Sequence, residues 1–318
     1  MCCGLTCQRR SMEAQAFESR EMNSSKTKHV YVWDMDETLV LFKSLCDGTY
    51  AKGFDDATKD LHKGVEIGRM WENLILQVCD DFFFYDQIDD FNMPCLDFLK
   101  RYDDGLQLSD YDFLRDGFNS LSDDSSRRKL AYRHRAIATR YEQGVSSFLD
   151  PETVRQWHDL YSLTDQYTEK WISSARALLE TCSGGSEGAS GDSANDEESK
   201  NNSTHVLVTS GCLIPCLVKC LLFKLDGFIP HGNIYSSYEV GKRKCFEWIK
   251  ERFSGEEVRF CAIGDGWEEC EAAQVMHWPF VQINAHPEGH HRFPGLSLTT
   301  IGFYLDVVYG NDESHKCE

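Results

Sequence analysis

Three short apolar runs rich in β-branched residues, His29–Trp33, His205–Val208 and Val258–Ile263, each stop abruptly at polar or acidic residues and give way to a helical pattern. Runs buried on both faces belong in a parallel sheet, whose strands need long crossovers that are usually helices. The helical spacing is carried by Leu213, Leu217, Cys220 and Leu221 after the second run, and by Ala272, Ala273 and Met276 after the third. Phe280–Ile283 reads as a further strand. The alternation predicts an α/β fold, a parallel sheet with helices on its faces.

Between the first two runs the periodicity is helical. Ile67, Met70, Trp71, Leu74 and Val78 recur at helical spacing, as do Leu130, His134, Ile137 and Tyr141, and then Trp171, Ala175, Leu178 and Cys182. Asp150 before Pro151 marks a helix start. Residues 46–182 are therefore expected to form a helical-bundle cap inserted into a discontinuous sheet domain of residues 28–45 and 204–318. Residues 183–203, rich in Ser, Gly, Asp and Glu, read as a flexible linker, and residues 1–27 as a disordered tail.

Lys and Arg total 33 against 52 Asp and Glu, a net charge of -19. That field repels phosphate backbones, so no direct nucleic-acid partner is expected. A phosphorylated substrate would need a local metal or lysine against this background. No apolar run in the first residues is long enough for a signal peptide or membrane span, and Arg9 and Arg10 interrupt what there is. The expected location is intracellular, in nucleus, cytoplasm or both, and not secreted. The 14 cysteines then read as reduced thiols. Cys2, Cys3 and Cys7 lie in the tail, where palmitoylation competes with plain disorder as their reading.

Trp33-Asp34-Met35-Asp36-Glu37-Thr38 follows the first run directly, where ligands bind in open α/β sheets, beyond the carboxyl ends of the strands. The second run ends at Thr209 and Ser210. The third ends at Gly264-Asp265-Gly266, with Glu268 and Glu269 behind it. Gly241-Lys242 opens a helical pattern between them. Alone, each has a structural reading: Lys242 as part of a solvated basic turn, Thr209 as a strand-end backbone partner, Glu268 and Glu269 as helix-start acids. In this order they resemble the four motifs of the haloacid dehalogenase superfamily, whose Rossmannoid fold and phosphoryl transfer the resemblance implies.

The chemistry is coherent residue by residue. Asp34, the nucleophile, would attack a phosphate, anion against anion, so a Mg²⁺ held by oxygen ligands has to offset the repulsion. Asp34, Asp36 and Asp265 are the candidate metal ligands, with Glu268 and Glu269 as candidates for supporting them. Lys242 adds positive charge; Thr38, Thr209, Ser210 and Lys242 are the candidate phosphate-binding groups. Asp36 is the candidate acid and base, for the leaving group and then for the water that hydrolyses the aspartyl-phosphate.

The wording is tighter than the superfamily requires. Trp33 to Leu45, Leu108-Ser109-Asp110-Tyr111-Asp112-Phe113, Arg128-Lys129-Leu130-Ala131-Tyr132, Val206-Leu207-Val208-Thr209 with Leu213-Ile214-Pro215, Ile234-Tyr235-Ser236, Gly241-Lys242 and Ile263-Gly264-Asp265-Gly266 resemble the Eyes absent family, from about Lys28 nearly to the C-terminus. The resemblance implies a Mg²⁺-dependent protein tyrosine phosphatase with a helical insertion, acting on a phosphotyrosine protein or peptide. It is nearest to the short plant members; the animal members' long N-terminal region and its functions are not carried over. Homeodomain-type partners are implied by the resemblance alone. Ser210-Gly211-Cys212 stands where animal members read Thr-Thr-Gln, and Trp267 where they have Arg.

Other chemistries fit less well. A cysteine phosphatase loop starting at Cys261 would have Trp267 where Arg is required. A P-loop before Lys242 has Ser236 in place of its first glycine and Arg243 in place of Ser or Thr. Cys212, Cys216 and Cys220, one helical turn apart, read as a buried face before a zinc site. His286, His290 and His291 read as solvated. Two alternatives stay open: a phosphatase for a small phosphorylated metabolite, separated by whether the cap closes as a lid, and a non-catalytic interaction or transcriptional cofactor module, disfavoured by unpaired carboxylates held together.

Overall fold

The computed structural model describes residues 27–54, 59–184, 203–254 and 257–310. The expected tail up to residue 26, with Cys2, Cys3 and Cys7, and the body of the expected linker, 185–202, lie outside the described residues.

Among the described residues five parallel strands form one sheet: β1 (Lys28–Trp33), β2 (Ser203–Thr209), β3 (Ile234–Ser236), β4 (Val258–Gly264) and β5 (Phe280–Gln282), in the order β3-β2-β1-β4-β5. The chain leaves β1 for β2 on one side and later returns to β4 on the other, so the crevice beyond the end of β1 is the switch point of the topology. Side chains alternate across the pleat. Val30 and Val32 pack on one face with Phe246, Ile249, Ala272 and Ala273, while Tyr31 and Trp33 enter a larger core on the other.

Between β1 and β2 the described residues form four long helices: α1 (Leu61–Phe83), α2 (Asp124–Gln143), α3 (Pro151–Tyr167) and α4 (Trp171–Cys182). Asp60, Asp123 and Asp150 accept the first free backbone N–H groups of α1, α2 and α3, which is why those helices begin where they do. After β2 come α5 (Leu213–Leu222), α6 (Lys242–Arg252), α7 (Trp267–Met276) and α8 (Leu298–Tyr309). Helices α6 and α7 cover the Val30 face, and α5, α8 and the inserted helices share the other.

The insertion is tied to the sheet domain by buried polar contacts. Trp171 Nε1 donates to the Thr38 carbonyl at 3.0 Å, Trp157 Nε1 to Leu222 O at 2.8 Å, and the Tyr141 hydroxyl to Ile229 O at 2.8 Å. At 3.0 Å, Trp33 Nε1 donates to His205 Nδ1, which puts the imidazole proton on Nε2, where Leu179 O of α4 accepts it at 3.0 Å. Breaking any of these strands a buried polar group, so the insertion and sheet share one core. Two elements go beyond the sequence reading: strand β3 and helix α8. Among the histidines read as solvated, His286 and His290 are exposed, but His291 Nε2 meets the Tyr304 hydroxyl of α8 at 2.9 Å.

Candidate active site

The turn after β1 is set by its backbone. Asp34 N donates to Ile263 O at 2.9 Å, Val40 N to Met35 O at 3.1 Å and Glu37 N to Val40 O at 2.7 Å, closing a loop in which Glu37 takes a positive φ of 61°. Glu37 is occupied structurally: its Oε1 accepts Phe42 N at 3.1 Å and Ser44 N at 3.0 Å, capping the helical turn Lys43–Cys46.

Inside this loop the Thr38 hydroxyl, fully buried, lies 3.4 Å from both Asp34 Oδ2 and Asp265 Oδ1. Asp265 thus meets a hydroxyl 227 residues away in the chain, one that Asp34 also meets. Lys242, at the start of α6, is buried and pairs with Asp34 and with Glu269 of α7. Gly241 precedes it at φ 78°, a left-handed conformation that glycine adopts without strain. A Cβ on Gly266 would stand 2.5 Å from Glu269 Oε2, so the bare backbone of the Gly264-Asp265-Gly266 turn makes room for this carboxylate.

Thr209 is buried at the end of β2, its hydroxyl accepting Gly211 N at 3.1 Å. The Thr209 carbonyl accepts both the N–H and the hydroxyl of Ser237, at 2.8 and 3.0 Å. Ser210, exposed at the rim, donates to Glu268 Oε2 at 3.2 Å. Glu268 and Glu269 are thus held by Ser210 and Lys242 respectively.

Asp36, the third candidate metal ligand, has a different lysine as partner, and its charge still acts on both Asp34 and Asp265. Its carboxylate receives both oxygens' worth of contact from Lys219 Nζ of α5, at 2.6 and 2.8 Å, and that ammonium also lies 4.5 Å from the centre of the Phe42 ring. Among the described residues no three His, Cys, Asp or Glu side chains are gathered at metal-binding distance. Asp34 and Asp265 share the Thr38 hydroxyl, and Asp34 and Glu269 share Lys242. Lys219 escaped the sequence reading, though a single lysine inside the otherwise apolar Leu213–Leu222 was a visible cue that a carboxylate must face it.

Burial raises Asp34 to about 6, against the opposing pull of Lys242, and Asp265 and Asp36 add to the rise. Burial also raises Asp265, again opposed by Lys242. Four carboxylates, Asp34, Asp36, Asp265 and Glu269, face two ammonium groups, Lys219 and Lys242. Glu269 Oε2 is buried with no hydrogen-bond partner among the described residues. A surplus of hard oxygen donors and negative charge fits a divalent cation of the Mg²⁺ type. Cys216 and Cys261 do not suit a nucleophile: burial pushes both thiols well above their ordinary range.

No family model matches the chain. Among known proteins, protein phosphatase EYA of Arabidopsis thaliana is 57% identical over 286 residues, covering 90% of this chain and 92% of that protein. Protein phosphatase eya of Drosophila melanogaster is 32% identical over 290 residues, and protein phosphatase EYA2 of Homo sapiens 31% over 280. The chain spans only 35% and 48% of those two animal proteins. A haloacid dehalogenase-like family hydrolase from Xanthomonas campestris aligns over 89% of this chain at 13% identity with a TM-score of 0.35, too loose a likeness to carry weight. At 57% identity to the plant protein and with 90% and 92% of the two chains covered, the chain belongs to the Eyes absent family of protein phosphatases.

Proposed function

We propose that this phosphatase hydrolyses phosphotyrosine in proteins through an aspartyl-phosphate on Asp34, with Mg²⁺ held by Asp34 and Asp265. The observation that carries the reading is the convergence of those two carboxylates on the Thr38 hydroxyl, with Lys242 against Asp34. Bound there, the metal supplies the positive charge that lets one anion approach another. Asp34 forms the new oxygen–phosphorus bond as the phenolate departs. Lys242 and the Thr209 hydroxyl stabilise the transferred phosphoryl oxygens. Asp36, held by Lys219, is assigned the proton transfers to the leaving oxygen and from the water that then releases phosphate. A phenol, with a pKa near about 10, asks less of that acid than an alkanol would.

A protein substrate is supported by the way the insertion is fixed. A lid that closes over a small metabolite needs a hinge, whereas Trp171, Trp157 and Tyr141 bind the inserted helices to the sheet domain through buried hydrogen bonds. Among the described residues no helix is long and apolar enough to cross a membrane.

The test is a panel of phosphotyrosine peptide, phosphoserine peptide and small phosphate esters, assayed with Mg²⁺ and with EDTA. Phosphotyrosine peptide should be turned over with Mg²⁺ only, and Asp34→Asn, which keeps the shape and removes the anion, should lower turnover by at least about a thousandfold. Turnover surviving in Asp34→Asn, or in EDTA, would sink the mechanism.

A further inference from the structure

Large apolar side chains left exposed singly on a surface need no explanation. Trp267 and Tyr238 are not placed that way. Of the seven tryptophans, five are buried and Trp248 is half-buried; Trp267 alone is exposed, at 71%. It is the first residue of α7, two after Asp265 and two before Glu269, whose carboxylate pairs with Lys242. Tyr238, 63% exposed, sits in the turn between β3 and α6, next to Ser237, which is bonded twice to the Thr209 carbonyl. Neither ring meets another aromatic ring or a cation among the described residues.

The topology puts the two residues on opposite sides of the strand end that carries Asp34. Tyr238 follows β3, beyond β2; Trp267 follows β4; Asp34 ends β1 between β2 and β4. Helices α6 and α7 pack together, and Lys242 with Glu269 ties their first turns. Glu268, next to Trp267, reaches across to Ser210 at the end of β2. Helices α6 and α7 cover the Val30 face of the sheet, while Asn92 and Pro94 of the insertion reach Ser236 beside the Tyr238 turn, and both rings stay exposed. Neither backbone is free to turn away, because Gly266 lies against Glu269 and Gly241 N is bonded to Ser237 O at 2.7 Å.

We propose that Tyr238 and Trp267 form an aromatic rim that takes the phenyl ring of the phosphotyrosine side chain while its phosphate reaches Asp34, so that the pair selects aryl over other phosphates. This rests on the phosphotyrosine reading above and names the residues that would give it specificity. The two rings act by positioning the substrate, and no proton or bond to phosphorus passes through them. Offset or edge-to-face contact with the substrate ring is worth roughly three- to tenfold in kcat/KM for each rim residue.

The probes are a phosphotyrosine peptide and acetyl phosphate, an activated phosphate with no ring, assayed with Mg²⁺ on the full chain. In Trp267→Ala and Tyr238→Ala the ratio of peptide to acetyl phosphate kcat/KM should fall, about tenfold or more in the double variant, mainly through the peptide KM. Trp267→Phe should recover most of the ratio, which a mere loss of folding would not do. An unchanged ratio, or an equal loss on both probes, overturns the rim. Wild-type turnover of acetyl phosphate but not of the peptide overturns the phosphotyrosine reading itself, and the rim with it.

Discussion

Lys219 shows what a single residue does here. It is the lone charge in α5, with only 11% of its side chain exposed, and its ammonium spans both oxygens of Asp36. An ammonium held among apolar neighbours needs such a partner, and the partner in turn is held in one orientation. Lys219→Met keeps the stem and removes the charge. The Asp36 carboxylate, one-third exposed, is then free to rotate, and kcat on a phosphotyrosine peptide should fall roughly ten- to a hundredfold, the scale on which misplacement of a reacting group acts. Lys219→Arg should restore part of it. An unchanged kcat in Lys219→Met would show that Asp36 needs no such tether. From sequence, Asp34, Lys242 and Asp265 announce themselves by following strands or opening a helix, and Thr38 by its place in the acidic turn after the first run. The Lys219–Asp36 and Lys242–Glu269 pairs do not, because each joins positions whose nearness is created only by the sheet order.

At the scale of elements, the close fit of α1 against the active-site loop is the sharpest constraint. A Cβ on Gly68, in the middle of α1, would stand 2.6 Å from Cys46 N, 2.8 Å from Cys46 Cα and 2.9 Å from Leu45 C. Those are backbone atoms of the helical turn that Glu37 caps, and they cannot rotate aside as a side chain would. Gly68→Ala gains helix propensity, worth about 1 kcal/mol, but the overpacking costs about 1–3 kcal/mol, and the second effect should win. Thermal unfolding should show a lower Tm together with weaker phosphatase activity. A higher Tm would mean that α1 shifts without cost. The sequence reveals β1, β2, β4 and β5 within two residues of their ends, since each is an apolar run with a sharp polar stop. It hides β3, whose three residues are too few to show a period, and α8, whose exposed Phe303, Val307 and Val308 blur the stripe formed by Ile301 and Leu305.

For the whole molecule, two buried imidazoles link stability to pH. His134 in α2 and His205 in β2 are each lowered from 6.5 to about 4, chiefly by burial. His205 holds together β1, β2 and α4, and His134 Nδ1 meets Leu96 O at 3.1 Å. Above pH 6.5 both are neutral folded or unfolded, and neither makes stability depend on pH. Between 6.5 and about 4 the unfolded chain binds protons there that the folded chain does not, so stability falls as pH falls, by about 1.4 kcal/mol per pH unit for each imidazole. The raised carboxyl of Asp34 works in the opposite sense, binding its proton first in the folded state. Comparing variants separates the two effects. His205→Gln retains an acceptor for Trp33 and a donor for Leu179, and His134→Asn a donor for Leu96, so both variants lose titration before they lose the contact. Guanidinium chloride unfolding at pH 8, 6 and 5 should give each variant a shallower loss of stability toward acid than the wild type, and the double variant the shallowest. Parallel slopes would mean that these histidines titrate alike folded and unfolded, and that the seam between insertion and sheet does not depend on keeping an imidazole neutral.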